Sequence, residues 1–314
     1  MNKSQTSTVT HFILLGFAGP WEVQIILFSL IFLVYLLTLI GNLAILCAVS
    51  WEHQLHTPMY MLLANFSFLE IWYVTCTAPN MLVIFLFKTK TMSFSGCFIQ
   101  FYFFFSLGTT ECFFLCVMAY DRYLAICRPL HYPSIMTGQF CGILVSLCWI
   151  IGFFVYSIPI FFISQLTFCG PNMIDHFLCD VDPLMALSCD PTPIVGHVFY
   201  SLSCLIITLT ILYILGSYAL VLRAVFHVPS SAGRRKAFST CGSHLAVVSL
   251  FYGTIMVMYM SPTSGSSAVV HKIITLIYSS VTPALNPFIY SLRNKDMKYA
   301  LRHVFCGTRI IHSS

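Results

Sequence analysis

Long runs without a single Asp, Glu, Lys or Arg constrain this chain more than any other feature, at 23–51, 53–69, 71–87, 91–110, 129–174, 191–222, 237–271 and 273–292. A helix that crosses a bilayer needs about 20 mostly apolar residues at roughly 1.5 Å each. Glu70 and Glu111 sit inside apolar sequence, so 53–69 joins 71–87, and 91–110 runs on past Glu111 towards Asp121. The pattern predicts seven spans, at about 24–49, 58–86, 97–126, 140–164, 196–226, 237–260 and 270–292. Membrane-spanning strands are excluded, because the runs are too long and do not alternate. The chain is 58% hydrophobic and 8% charged, against about 25% charged in a soluble domain. That excludes a soluble globular protein, a disordered chain and a coiled coil. The expected fold is an all-α membrane protein, one seven-transmembrane helix bundle over 1–314, with tails at 1–23 and 293–314 around a bundle at 24–292.

Orientation follows from the basic residues, which favour the cytoplasmic side. With the N-terminus extracellular, Arg122, Arg128, Arg223, Arg234, Arg235, Lys236, Arg293, Lys295, Lys298, Arg302 and Arg309 fall inside, and Lys3, Lys88, Lys90 and Lys272 outside. The first residues lack a basic start and a small-residue cleavage site, so the first span is expected to act as an uncleaved signal anchor. The sequon Asn2-Lys3-Ser4 then lies on the glycosylated side, whereas Asn65-Phe66-Ser67 lies within a span, out of reach. Lys295, Lys298 and Arg302 belong to a short cytoplasmic amphipathic helix after the seventh span, and with Arg234 to Lys236 they suit anionic lipid headgroups. No basic patch interleaved with aromatics points to nucleic acid.

Most of the 14 cysteines lie in apolar spans as small hydrophobes. Four are expected outside, Cys97, Cys169, Cys179 and Cys189, and an even number there suggests two bridges. The alternative is a metal site at His176, Cys179 and Asp180.

Four strings carry a specific resemblance: PMYMLLANFSFLE from Pro58, MAYDRYLAIC from Met118, KAFSTCGSHL from Lys236 and PALNPFIYSLRN from Pro283. Together with Gly41-Asn42, in this order and at span ends, they resemble the rhodopsin-like G-protein-coupled receptors and, within them, the odorant receptors. The resemblance implies a plasma-membrane receptor for small volatile odorants, coupled to a stimulatory-type olfactory G protein that raises cyclic AMP. It implies the pairings Cys97–Cys179 and Cys169–Cys189. It also implies that Arg122, with Asp121 and Tyr123, holds the resting state and then receives the G protein, and that Tyr218 and Tyr290 swing towards that arginine. Pro287 removes a backbone hydrogen bond within a span and makes a hinge, with Asn286 beside it. His244 matches the family string and is expected to bond to the third span; the plainer reading is a satisfied core histidine.

Glu70 follows Pro58 by 12 residues and Glu111 precedes Arg122 by 11. At about 1.5 Å per residue, two antiparallel helices then hold two acids at one depth. Intramembrane acids mark functional sites by default, and facing carboxylates cannot both stay charged without a cation or a shared proton. Three readings stay open: a sodium ion with Asn42, Ser279 or Asn286 nearby, a shared proton, or a neutral hydrogen-bonded pair. Beyond that sodium ion no cofactor is expected. The resembled family usually carries Asp at the position of Glu70.

Stepping outward from Glu111 by helical spacing gives Gly108, Phe104 and Gln100 or Phe101, a face with a small gap and aromatic walls that suits a small apolar ligand. Tyr252, Ile255 and Tyr259 form a similar stripe on the sixth span, Tyr252 standing where many rhodopsin-like receptors carry tryptophan. The resemblance adds Phe105, Thr109, Leu202, Ser203, Ile206 and Ser279. No acid is expected to face this level, which argues against an amine anchored by a salt bridge. Rival readings are a receptor for another small molecule, a transporter, for which no repeat between halves is visible, and an intramembrane enzyme, for which HExxH and Gly-x-Ser-x-Gly strings are missing.

Overall fold

The computed structural model describes residues 9–17, 19–87, 89–190, 194–227, 230–260 and 267–306, with side chains for all of these except 231–240, 259–260, 267–268, 292–293, 295 and 305–306. Asn2 and its sequon lie outside the described residues, as do the side chains of Arg234, Arg235, Lys236 and Tyr259. Among the described residues, seven helical spans are long and apolar enough to cross a membrane. They are α1 (Trp21–Trp51), α2 (Pro58–Phe87), α3 (Phe94–Cys127), α5 (Gly138–Val155) with α6 (Ser157–Ser164), α8 (Ile194–Phe226), α9 (Ser231–Met260), and α10 (Ser267–Leu276) running through a π segment at Ile277–Val281 into α11 (Thr282–Arg293). A short turn, α4 (Tyr132–Ile135), follows α3, and α12 (Lys295–Cys306) follows α11. On α12, Met297 and Ala300 are buried while Lys298 and Arg302 are exposed, an amphipathic division at helical spacing.

Prolines explain the broken spans. Pro159 has no N–H for the carbonyl of Val155, and there the fourth span splits into α5 and α6. Pro283 likewise withholds a donor from Ser279, inside the π segment. Pro287 sits within α11 without ending it, and Ser291 Oγ bonds back to the Pro287 carbonyl. Gly41 of α1 lies against this proline: a Cβ there would stand 2.8 Å from Pro287 Cγ.

One end of the bundle is closed by a lid. Strand β1 (His11–Leu15) pairs antiparallel with β2 (Thr89–Ser93), from His11↔Ser93 to Leu15↔Thr89, and parallel with β3 (Met173–Ile174). Alternation puts Phe12 and Leu14 inward, and both are fully buried. The loop between α6 and α8 is tied to the start of α3 by Cys97–Cys179 (Cα–Cα 5.5 Å) and closed on itself by Cys169–Cys189 (Cα–Cα 5.8 Å). The metal reading of this loop is overturned: Cys179 is bridged and has no thiolate to give, and no group of three suitable ligands occurs among the described residues. A short helix, α7 (Val181–Ala186), starts directly after it.

Candidate ligand cavity, polar core and switch

Beneath the lid the helices part around a cavity of about 250 Å³. Phe104, Phe105, Gly108, Thr109 and Cys112 form its α3 wall, Phe199, Ser203, Ile206 and Ile207 its α8 wall, and Ile255 and Met258 its α9 wall. The α3 positions are three or four apart, the spacing that places side chains on one helix face. Tyr156, at the break between α5 and α6, and Tyr278 of the π segment complete the sides. The ring of Phe105 meets the edge of Phe199 at 4.7 Å between centroids, a preferred aromatic geometry. Gly108 keeps the space open, since a Cβ there would stand 3.0 Å from the Tyr278 hydroxyl.

Phe104, Phe105, Gly108, Thr109, Ser203, Ile206 and Ile255, singled out from sequence, line the cavity; three others do not. Leu202, one residue before Ser203, falls on the neighbouring face of α8 and lines a separate outward groove with His197, Val198 and Leu205. Tyr252 is buried, but its hydroxyl turns to Thr210 Oγ1 at 2.8 Å. Ser279 is fully buried and lies off the cavity wall. The expectation that no acid faces this level is overturned as well. Asp180 and Asp182 reach the cavity from the lid, together with His271 from α10.

Deeper in the bundle, Glu70 and Glu111 are both buried, and each feels the other as an electrostatic neighbour. Asn286 Nδ2 donates to Glu70 Oε1, while Glu70 Oε2, Glu111 Oε1, Ser279 Oγ and Asn286 Oδ1 are buried without a partner. A hard cation takes oxygen ligands of this kind, so these residues fit a sodium ion; they fit a shared proton equally. Asn42 is buried, and its Nδ2 is committed to Thr38 O at 2.9 Å on its own helix.

At the end of the bundle opposite the lid, Arg122 Nε donates to Asp121 Oδ2 at 2.9 Å, and Tyr132 Oη donates to Asp121 Oδ1 at 2.7 Å. Arg122 is buried and Tyr123 half-buried. Tyr218 Oη meets His244 Nδ1 at 2.6 Å, and Tyr290 Oη points to Met118 Sδ at 3.9 Å. His244 is thus bonded to α8, and it also meets the Leu115 backbone of the third span, the helix expected from sequence.

This arrangement gives a lidded cavity above a polar core above a clamped arginine, strung along α3. The profile of the olfactory receptor family matches residues 31–308. The chain belongs to the olfactory receptor family. It is 77% identical to human Olfactory receptor 11H7 over 314 residues, covering 100% of both chains. It is 68% identical to human Olfactory receptor 11H4, covering 100% of this chain and 97% of that one. The crystal structure of squid rhodopsin shares the fold, with a TM-score of 0.75 over 92% of this chain and 82% of that one at 18% identity.

Two lid groups of the receptor are shifted by burial. His176 is buried with Nδ1 accepting from Leu178 N at 3.1 Å, and desolvation, then the neighbouring His271 and Lys272, hold its pKa down to about 3. Burial raises the pKa of Asp180 to about 6, opposed by the bond from Val181 N. Sequence reasoning missed Asp180, Asp182, Tyr156, Phe199 and His271 as cavity residues. For the two acids a signal existed: Asp180 and Asp182 lie one and three residues after Cys179, and its bridge to Cys97 pins them over the bundle.

Proposed function

We propose that this receptor takes a small, largely apolar volatile molecule into the cavity beneath the lid, and that occupancy shifts the bundle towards a form whose Arg122 end admits a G protein. Family membership makes the chain a multi-pass signalling receptor and not an enzyme or a transporter. The observation that carries the ligand reading is the cavity beneath the bridged loop, apolar on three helices. A ligand shifts an equilibrium only by binding one form better; here the α3, α8 and α9 walls offer that difference, because a change in their spacing alters the cavity directly.

Our reading places the lid outside the cell and Arg122 in the cytoplasm of a plasma-membrane protein, supported by the bias of Lys and Arg to the Arg122 end. The clamp of Arg122 on Asp121, braced by Tyr132, then corresponds to the resting form. The G protein is of the stimulatory olfactory type, raising cyclic AMP, and membrane lipid contacts the basic face of α12. A sodium ion or a proton between Glu70 and Glu111 stabilises the resting packing, with Ser279 and Asn286 as the further oxygens. The test is cyclic AMP production in cells that express the chain with an olfactory-type G protein, surface labelling alongside, across a broad volatile panel. A ligand-dependent rise that Arg122→Ala abolishes is expected. Silence across the panel, from receptor labelled at the surface, counts against the coupling.

A further inference from the structure

The cavity is short of protons and rich in lone pairs at its lid end. Tyr200 gives its hydroxyl proton to Asp182, and Thr275 gives its own to His271 O at 2.9 Å. Ser203 donates to Phe199 O at 2.9 Å, so in the 2.6 Å contact between Tyr156 and Ser203 the proton comes from Tyr156. The carboxylates of Asp180 and Asp182 accept only. The lid loop carries four aspartates, at 175, 180, 182 and 190, and no Lys or Arg. The nearby Lys272 is spent on Asp175 at 2.6 Å. Thr109, Tyr278 and His271, with the weakly donating thiol of Cys112, are the described lining groups left with a proton to offer, and none of them belongs to the lid loop.

We infer that this receptor selects ligands whose apolar body carries a hydrogen-bond-donating head group, seated against Asp180 and Asp182. An ammonium is favoured most, a hydroxyl or undissociated carboxyl next, and a head with acceptors alone, such as an aldehyde or ether, least. The physical reason is asymmetric: a buried acceptor that loses water and gains no donor costs more than the bond it forgoes, and bonds to a charged acceptor are the strong ones. The inference rests on the cavity being the ligand site and adds the chemical class of its occupant.

The experiment uses a set of straight-chain amine, alcohol, aldehyde and methyl ether of matched length. It has two readouts on the full chain, cyclic AMP in surface-labelled cells and thermal protection of purified receptor. The amine and alcohol should act at concentrations about tenfold or more below those of the aldehyde and ether. Asp182→Asn and Asp180→Asn, which keep the side-chain shape, should each erase most of the amine's advantage. Equal potency across head groups, or an order that survives both substitutions, overturns the inference, as does a set of which no member protects the receptor. Protection in the expected order without cyclic AMP would uphold the head-group selection and break the signalling reading instead.

Discussion

The spans α1 and α3 are both long apolar helices, yet the bundle uses them differently. Mean hydropathy is 2.7 in α1 and 1.6 in α3, while 17% of the apolar window of α1 is buried inside the protein and 67% of that of α3. The more apolar helix is the more exposed one. On α1 the residues turned outward include Ile26, Leu33 and Ile40, and those turned inward include Gln24, Thr38 and Asn42. Between apolar chains and lipid tails there is no hydrophobic driving force, so packing and polar contacts decide which face turns inward. In α3 the inward face holds the cavity wall, Glu111 and the Asp121–Arg122 clamp.

Truncating a fully buried ring on α3 sharpens this contrast most. Phe101 stacks on Phe199 at 5.5 Å with none of its surface exposed, and Phe101→Ala should cost about 3–5 kcal/mol. Ile26→Ala on α1, at a position 63% exposed, should leave the thermal midpoint of the detergent-solubilised receptor unchanged. Equal losses would mean that α1 packs against something other than lipid. A smaller loss is expected from overpacking. Gly152 of α5 lies so close to α3 that a Cβ would stand 2.0 Å from Thr110 Oγ1, and Gly152→Ala should cost about 1–3 kcal/mol and lower surface labelling. Gly216→Ala on α8, with nothing near its Cβ position, is the control.

The polar core of α3 gives an effect on signalling more than on folding. Replacing sodium by choline in the medium should change ligand potency about fivefold or more in the wild type, the lower range of allosteric couplings. Glu111→Gln, which removes one of the two facing charges, should make potency indifferent to sodium. A wild type that is itself indifferent would point to the shared proton.

How much of this was legible in the sequence follows from the same contrast. The seven spans were, because a bilayer demands unbroken apolar length, and their ends moved by only a few residues. Glu70 and Glu111 at one depth were, because a rise per residue converts sequence distance into height. The face of α8 was harder. Leu202 and Ser203 are adjacent and both suit a cavity, yet only Ser203 lines it, since helical rotation, which an all-round apolar helix does not declare, decides between neighbours. The lid was hardest. Its strands and the reach of Asp180 and Asp182 depend on loop tertiary contacts, for which periodicity carries no signal.

The smallest effect belongs to that lid and comes from two opposed titrations. His176, ordinarily near 6.5, is held to about 3 in the closed lid, so its neutral form is built in. The stability it supplies is complete above pH 6.5 and drains as pH falls towards 3, because the open lid takes up the proton first. Asp180 runs the other way: its pKa rises from 3.8 to about 6, so the closed lid binds the proton more tightly and gains stability as pH falls through that window. Asp182, His271 and the Val181 amide face Asp180, and the amide bond persists on protonation. Lid protection, read as hydrogen exchange of the 169–189 loop, should therefore weaken from pH 6.5 to 6, hold nearly level to about pH 4, and weaken again. Asp180→Asn removes the compensation and should turn that plateau into a continuous loss, whereas His176→Gln should abolish the loss altogether. A plateau that survives Asp180→Asn would show that the aspartate does not offset His176, and that some other group near the cavity takes up the proton.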